Sequence, residues 1–519
     1  MERDPAPRLV MRVLLWHGWL LEGSGSNIYT ARVAEVLRRA GHDVLLMCQE
    51  RDVDRYAFID AWGSVNANGV SPLASIPRPQ RPGRGILLRP DIGALLPVFV
   101  IDEYEGFEVK RFLDLTAGEL DAYLERNVVA LRAAASWFDP QVVIAGHAVP
   151  GAVVACRALG SGSYLAKVHG SDLEYAIRLQ PRYLALAEEG LDGARAVAGP
   201  TADALGRTAE LVPSVAGKTK VVPPGVEVEL FRPGERRSAL EVTAARLRSD
   251  PETLVGRPSD LDERVREAVE RRDADALSGL ARSYDQAVPD PHAADRLLSL
   301  AAYEGPVVGY LGKLIPQKGV ELLLAALPLL QGPARALVVG FGLYRESFAA
   351  FVQCLDQADE EGLRWLAGAS DLSPDVAGSA SAASRGLSSL VTFTGRLDHR
   401  YAPGALAAMD VLVVPSVLHE AFGMVAAEGA AAGALPLVAR HSGLAEVGAV
   451  LEEAVNRPGL FTFDPGPGAV ERIAAGLDRQ LRLPLAEREE LALGVSGFVA
   501  REWTWERTAE RLLAETGWR

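Results

Sequence analysis

The sequence predicts an α/β protein of two domains, and three observations carry that expectation. Short β-rich apolar runs alternate with helical stretches of roughly 10 to 16 residues almost from end to end, the pattern of parallel strands joined by crossover helices. The alternation pauses at "VVPPGVEVELFRP" (Val221–Pro233) and then restarts, which divides the chain. At 519 residues and 49% hydrophobic content, the chain is longer than a single core usually serves.

The first unit is a strand at Arg12–Trp16, a loop with Gly18, Gly23 and Gly25, a helix from about Ser26 to Ala40 stopped by Gly41, and a strand at Val44–Met47. Further strands are expected near Val142–Ala145, Tyr164–Val168 and Ala196–Ala198. The second series has strands near Val307–Leu311, Ala336–Val339, Val391–Thr394, Val411–Val414 and Leu435–Val438. Two segments look inserted. Glu235 to Tyr303 is rich in Arg, Asp, Glu and Ala at helical spacing with no convincing strand, so it reads as a helical insertion. Loop closure depends weakly on length, so its deletion is expected to leave the second sheet folded. Ala367–Ser389 is mostly Ala, Ser and Gly and reads as a mobile surface loop.

The net charge of −14 disfavours a nucleic-acid footprint or a polybasic membrane surface and fits small-molecule chemistry better. Cys48, Cys156 and Cys354 are far apart in apolar contexts, so they read as buried reduced thiols and neither a disulfide framework nor a metal cluster is expected. No apolar run approaches the ~18 residues of a membrane span, and the polar "MERDPAPR" is not a signal peptide. A cytoplasmic location is expected.

Two constellations carry chemistry. In "HEAFGMVAAEGAAAG", Glu420 and Glu428 flank the start of a helix whose first N–H groups lie near Phe422, Gly423 and Met424. A helix N-terminus attracts anions, Gly423 leaves room for a phosphate, and the two acids suit the hydroxyls of sugars on either side. As a bland alternative, Glu420 is only a first-turn acid and Glu428 a surface residue. Upstream, "GYLGKLIPQKG" places Lys313 and Lys318 at the carboxyl end of a strand, where open α/β sheets bind ligands. Two cations there would match a diphosphate.

Seven stretches in order resemble the retaining glycosyltransferases of family 4: "EGSGSNIYTARVAEVLRRAGHDV", "KVHGSDLE", "VVPPGVEVELFRP", "GYLGKLIPQKG", "ALVVGFG", "VTFTGRL" and "PSVLHEAFGMVAAEGAAAG…PLVARHSGLAEV". The resemblance implies the GT-B fold, two facing Rossmann-like domains with a central cleft. Residues 1–212 would form the acceptor-side domain, 213–503 the nucleotide-sugar domain with the insertion, and a helix about 504–519 would cross back onto the first. By the same resemblance, the glycine-rich loop with Gly25 and Asn27 approaches the donor diphosphate, and His169 lies beside the transferred sugar. Lys313 and Lys318 would neutralise the leaving diphosphate, Glu420 would hold sugar hydroxyls and Glu428 the nucleotide ribose. The donor would be a nucleoside-diphosphate sugar, a UDP-sugar ahead of a GDP-sugar, with no cofactor and no metal. Lys313 stands where the family usually has Arg, replacing a bidentate fork with a point charge. "ALPLVAR" carries one more residue before its proline than the family pattern, so no role is transferred to that turn.

The reaction implied is sugar transfer to a hydroxyl of a glycan, a lipid-linked or a small polar acceptor, with retention and by front-face attack. The alternatives are a non-catalytic nucleotide-sugar binding protein that docks a partner through the insertion, and a GT-B epimerase or phosphorylase. In "IPRPQRPGRGILLRP", Arg78, Arg81, Arg84 and Arg89 occur with no acid from Ala61 to Pro90. That stretch is either a solvated loop or a contact for an anionic acceptor or the inner membrane surface. "DVD" at Asp52–Asp54 follows the second strand in an irregular charged stretch, which argues against a metal pair. "GFGLYRE" at Gly340–Glu346 lacks the full dinucleotide spacing.

Overall fold

A computed structural model of the chain describes residues 10–79, 82–100, 104–370, 372, 376 and 386–515. It divides into Met1–Gly225 with Thr504–Arg519, and Val226–Trp503.

The first unit is built from β1 (Arg12–Trp16), β2 (Asp43–Met47), β3 (Ala61–Asn66), β4 (Gly69–Val70), β5 (Ala74–Ser75), β6 (Gly85–Pro90), β7 (Leu95–Val98), β8 (Glu108–Arg111), β9 (Val142–Gly146), β10 (Leu165–Lys167), β11 (Ala196–Gly199) and β12 (Thr219–Val221). Its main sheet runs β12-β11-β10-β9-β1-β2-β6-β3-β4. Only β4 and β5, both on β3, pair antiparallel. β1 sits centrally, with Val13 opposite Val44 on one side and Val142 on the other. Sheets covered on both faces give continuous apolar strands, which is why β1 and β9 read as unbroken runs. The helix Gly25–Arg39 starts where Ser24 accepts a hydrogen bond from the Asn27 amide, and it buries Val33, Val36 and Leu37. The Pro/Arg stretch read as a loop contains β6, a sheet member between β2 and β3.

The first unit ends later than residue 212. Val212 and Val215 are buried in its core, and β12 pairs with β11, so the chain leaves this unit only after Gly225. The helix Leu485–Glu502 ends in the second unit, and the helix expected at about 504–519 runs Trp505–Glu515 in the first. The latter packs on Gly25–Arg39, with Tyr29 against Trp505 and Arg39 paired with Glu506.

The second unit carries β13 (Val307–Lys313), β14 (Arg335–Phe341), β15 (Val391–Phe393), β16 (Val411–Val414), β17 (Leu435–Ala439) and β18 (Thr462–Phe463) in the order β15-β14-β13-β16-β17-β18, all parallel. The segment read as an insertion forms helices Arg236–Ser249, Leu261–Arg271, Ala274–Ala281 and Ala293–Ala301. It is not an appendage. Leu240, Leu247, Leu261, Val265, Leu277, Leu297 and Leu300 lie in the same core as the second sheet. Arg236 pairs with Asp410, and the fully buried Arg257 makes a bidentate pair with the fully buried Glu346 at 2.9 and 2.7 Å. The expectation that the segment is dispensable is corrected on those grounds.

Of Ala367–Ser389, residues 371, 373–375 and 377–385 lie outside the described residues. Leu372 and Val376 are buried in the second core, and Leu387–Leu390 forms one helical turn. Cys48 and Cys354 are buried, which pushes both thiols up to about 12, while Cys156 is only partly covered. Among the described residues no helix is long and apolar enough to cross a membrane.

Candidate functional site

In the second unit, five segments meet at the carboxyl ends of β13, β16 and β17. Gly319 follows Lys318 with φ +69°, and a Cβ there would lie 2.1 Å from the Pro415 carbonyl oxygen, so only glycine lets this turn press against the loop after β16. The amide of Val417 donates to the Gln317 carbonyl at 3.0 Å. This stitching carries Lys318 to Glu420, 102 residues away, and the two side chains form an ion pair. Both are partly exposed, at 29% and 22%. Lys313, at the end of β13, is exposed and has no ion-pair partner among the described residues.

Two helices begin here. Met424–Ala431 follows Gly423, whose φ of +99° and 2.4 Å approach of a Cβ to Leu444 exclude a side chain. Ser442–Ala454 follows His441, and its start is tied to the same loop: the Gly443 amide donates to the Glu420 carbonyl at 2.9 Å, the Ser442 hydroxyl accepts from the Glu420 amide at 3.1 Å, and His441 Nε2 lies 2.6 Å from the Ser416 carbonyl oxygen. The starts of both helices, with the positive ends of their dipoles, are thus tied to the loop that carries Glu420. An anion is the natural guest. Phe422 is 5% exposed and packs edge-on against Trp503, so its ring belongs to the core; Met424 is half-buried. Glu428 faces His399, with Oε1 3.7 Å from Nε2.

A second cluster lies in the first unit, at the carboxyl ends of β1, β9 and β10. His17 is fully buried, with Nε2 2.8 Å from the Asn27 side-chain oxygen and Nδ1 3.1 Å from the Thr30 hydroxyl. Asn27 is 2% exposed, and its amide nitrogen donates to the Glu22 carbonyl, which fixes the amide so that His17 Nε2 carries the proton. The Asn27 side chain is thus engaged with His17 and the Glu22 carbonyl. Gly25, one turn earlier, is open: a Cβ there would touch nothing within 4 Å. His147 follows β9 with φ +70°, buried between Trp19, Phe99 and His169, and its Nδ1 has no hydrogen-bond partner. His169 stacks on it at 4.5 Å and meets Tyr29 edge-on at 5.2 Å. Asp172 joins the two histidine loops, accepting from the Ala148 amide at 2.6 Å and the Gly170 amide at 3.2 Å. Lys167, 1% exposed, donates to the Val168 carbonyl and lies over the Tyr29 ring.

Burial sets the charges. It pulls His17 down to about 4 and His147 and His169 well below the usual imidazole range, with repulsion from His17 and Lys167 adding at His147 and from His147, Lys167 and His17 at His169. It brings Lys167 down to about 7 and lifts Asp172 to about 6, despite the backbone amides the carboxylate accepts. A neutral His169 can accept a hydrogen bond from a hydroxyl.

Stability follows with a definite sign. Unfolded imidazoles take a proton near 6.5, whereas these three resist it, so the unfolded chain binds more protons as pH falls. Each costs about 1.4 kcal/mol per pH unit once fully displaced. Asp172 acts oppositely between 3.8 and about 6, offsetting one of the three, and Lys167 acts only above about 7. The melting temperature of the first unit, read from Trp16 and Trp19 fluorescence, should fall as pH drops from 6.5 to 5. A rise would show that the imidazoles are charged in the fold.

His17, His147, Lys167 and Asp172 were not singled out from the sequence. The signal for Asp172 was present in "HGSD", an acid set to accept from the amide two residues before it. Nothing local marks the others. Of the arginines proposed for an acceptor, Arg78 donates to the carbonyls of Ile59 and Tyr56 at 2.8 and 3.1 Å, so it clamps its own loop. Arg84 is exposed, and Arg81 lies outside the described residues. Asp52 pairs with Arg55 at 3.8 Å.

Residues 299–492 match the family model described as glycosyl transferases group 1. The chain is 27% identical over 240 residues to the GDP-mannose-dependent alpha-(1-6)-phosphatidylinositol monomannoside mannosyltransferase of Mycobacterium tuberculosis strain H37Rv, covering 44% of this chain and 52% of that one. A glycogen synthase of Halorhodospira halophila is 46% identical over 54 residues, 10% of this chain and 11% of the synthase. The chain thus spans about half the length of the curated mannosyltransferase and about a tenth of the synthase. Among solved structures, the sucrose-phosphate synthase of Thermosynechococcus elongatus superposes with a TM-score of 0.57 at 18% identity, covering 97% of this chain and 98% of its own. Anabaena HepE, solved with UDP and glucose, gives 0.55 at 14% identity with the same coverage. These likenesses show the fold. The glycosyl transferases group 1 match thus lies within the second unit, and the chain, with its two parallel-sheet units, has the GT-B fold.

Proposed function

We propose that the protein transfers a sugar from a nucleoside-diphosphate sugar to an acceptor hydroxyl with retention of anomeric configuration, without a metal. The Lys318–Glu420 pair, set beside two helix N-termini, carries this reading. The diphosphate lies against the two first turns with Lys318 and Lys313 as counter-charges, so protein groups meet the charge that grows on the leaving group. Glu420 accepts from hydroxyls of the transferred sugar and Glu428 from the ribose. The first unit takes the acceptor, where neutral His169 can accept from a hydroxyl. Glu420, ion-paired with Lys318, is assigned to the sugar hydroxyls and not to the anomeric carbon, so the acceptor attacks from the leaving-group face and its proton passes to the departing phosphate oxygen.

The first donor to test is a UDP-sugar and the second a GDP-sugar, after the UDP-glucose bound by HepE and the GDP-mannose of the mannosyltransferase. In a melting screen against UDP-, GDP- and ADP-sugars, the true donor at 100 Kd should stabilise the native state by roughly 2.7 kcal/mol. Release of nucleoside diphosphate that depends on an acceptor would then separate a transferase from a binding protein. A chain that no sugar nucleotide stabilises would sink the proposal.

A further inference from the structure

The loop Gly395–Arg400 after β15 brings one more side chain to the donor side. In it Asp398 accepts from the Arg400 guanidinium at 2.9 and 3.1 Å, and Arg396 lies over Phe341 while donating to the Ala287 carbonyl. His399 stands between them in sequence. Its ring stands edge-on to Phe231 at 5.5 Å, and Phe231, 2% exposed, is held in "VVPPGVEVELFRP" by its amide on the Glu227 carbonyl. That packing directs Nε2 to Glu428 Oε1 at 3.7 Å, with His399 40% and Glu428 12% exposed. The separation exceeds a direct N–H···O bond of about 2.7–3.2 Å. One hydroxyl oxygen about 2.8 Å from each atom would bridge the two, taking the imidazole N–H and giving its own hydrogen to the carboxylate.

Building on the donor assignment above, we propose that His399 is a specificity-determining residue that shares the ribose diol with Glu428: the imidazole donates to one hydroxyl and the carboxylate accepts from both. A lone carboxylate accepts from any nearby hydroxyl. A donor and an acceptor 3.7 Å apart select an oxygen that can do both, so the pair reads ribose against its deoxy forms.

Isothermal titration of UDP and GDP, and of their 2′-deoxy and 3′-deoxy analogues, tests this on the full chain without any acceptor. For the better-bound base, His399→Ala should weaken the ribonucleotide about tenfold while leaving one deoxy form unchanged, so that discrimination at one hydroxyl collapses. His399→Gln, which keeps an N–H donor, should recover part of the loss. Native affinity in His399→Ala, or an unchanged ribo-to-deoxy ratio, overturns the inference while the donor assignment stands. If neither UDP nor GDP binds the native chain, the donor assignment itself falls and takes this inference with it.

Discussion

Removing residues 237–301 should unfold the second unit. The segment's helices were legible as helices, yet their apolar faces form one wall of the shared core. Leu261–Arg271 and Ala274–Ala281 pack on the helix Arg345–Asp356, whose Phe348, Phe351 and Leu355 are buried. Without them those side chains meet water, at about 1.5–3 kcal/mol for each one fully exposed. The electrostatic loss is more specific. Glu346 is fully buried; burial would raise its pKa, but Arg257 and Arg345 hold it below the usual carboxylate range. Tyr284 also donates to it at 2.9 Å. Arg257→Met alone removes the bidentate partner of that buried carboxylate, leaving it Tyr284 and the more distant charge of Arg345, and should cost about 3–5 kcal/mol. Arg257→Met with Glu346→Leu should recover most of the loss, because a buried ion pair exchanged for apolar groups is close to neutral. Denaturant melts of the two variants and circular dichroism of the deletion decide it. A cooperative melt near the native midpoint in the deletion would return the segment to the status of an appendage.

The same segment shows what a sequence can and cannot disclose. Helical period marked Leu240, Leu247, Leu261 and Val265 as one-sided, but period does not say which surface covers a face. Arg257 and Glu346 lie 89 residues apart, and each alone reads as a surface charge. Strands buried on both faces, such as β1, β9 and β16, were plain as unbroken apolar runs. β6 was hidden because proline and glycine punctuate the stretch around it, and β12 because Lys220 and Val221 are exposed at a sheet edge. At the donor side, Lys318, Glu420 and Gly423 were visible because a Gly turn before a helix has a local signature. His399 was not, since its place depends on Phe231 from far upstream. In the first unit, Asn27 was read as a ligand contact because it opens a helix after a glycine-rich loop. The competing use of its amide by His17 and Glu22 depends on the tertiary fold.

Lys318→Ala should reduce kcat/KM on the order of 100- to 1000-fold, or ~2.7–4 kcal/mol of transition-state stabilisation, while the melting temperature stays close to native. The fold gives little weight to this side chain. Its ammonium is partly exposed and paired only to a partly exposed carboxylate, and such pairs contribute about 0–1 kcal/mol. The turn around it is set by Gly319, Pro316 and the Gln317 carbonyl, all of which remain. Chemistry depends on it more. In the proposed transfer, negative charge grows on the diphosphate as the glycosidic bond breaks, and Lys318 is a cation held near the two helix N-termini. Its loss also frees Glu420, whose carboxylate then repels the leaving group, so two unfavourable changes follow from one substitution. Lys318→Ala with Glu420→Gln should therefore recover part of the rate if the repulsion matters. Lys318→Arg should recover part as well, because a charge on a long stem can still reach the phosphate. Steady-state rates with the donor from the screen, beside melts of the same preparations, separate the two effects. Near-native turnover by a well-folded Lys318→Ala protein would remove the diphosphate from this site, and with it the geometry on which the transferase reading rests.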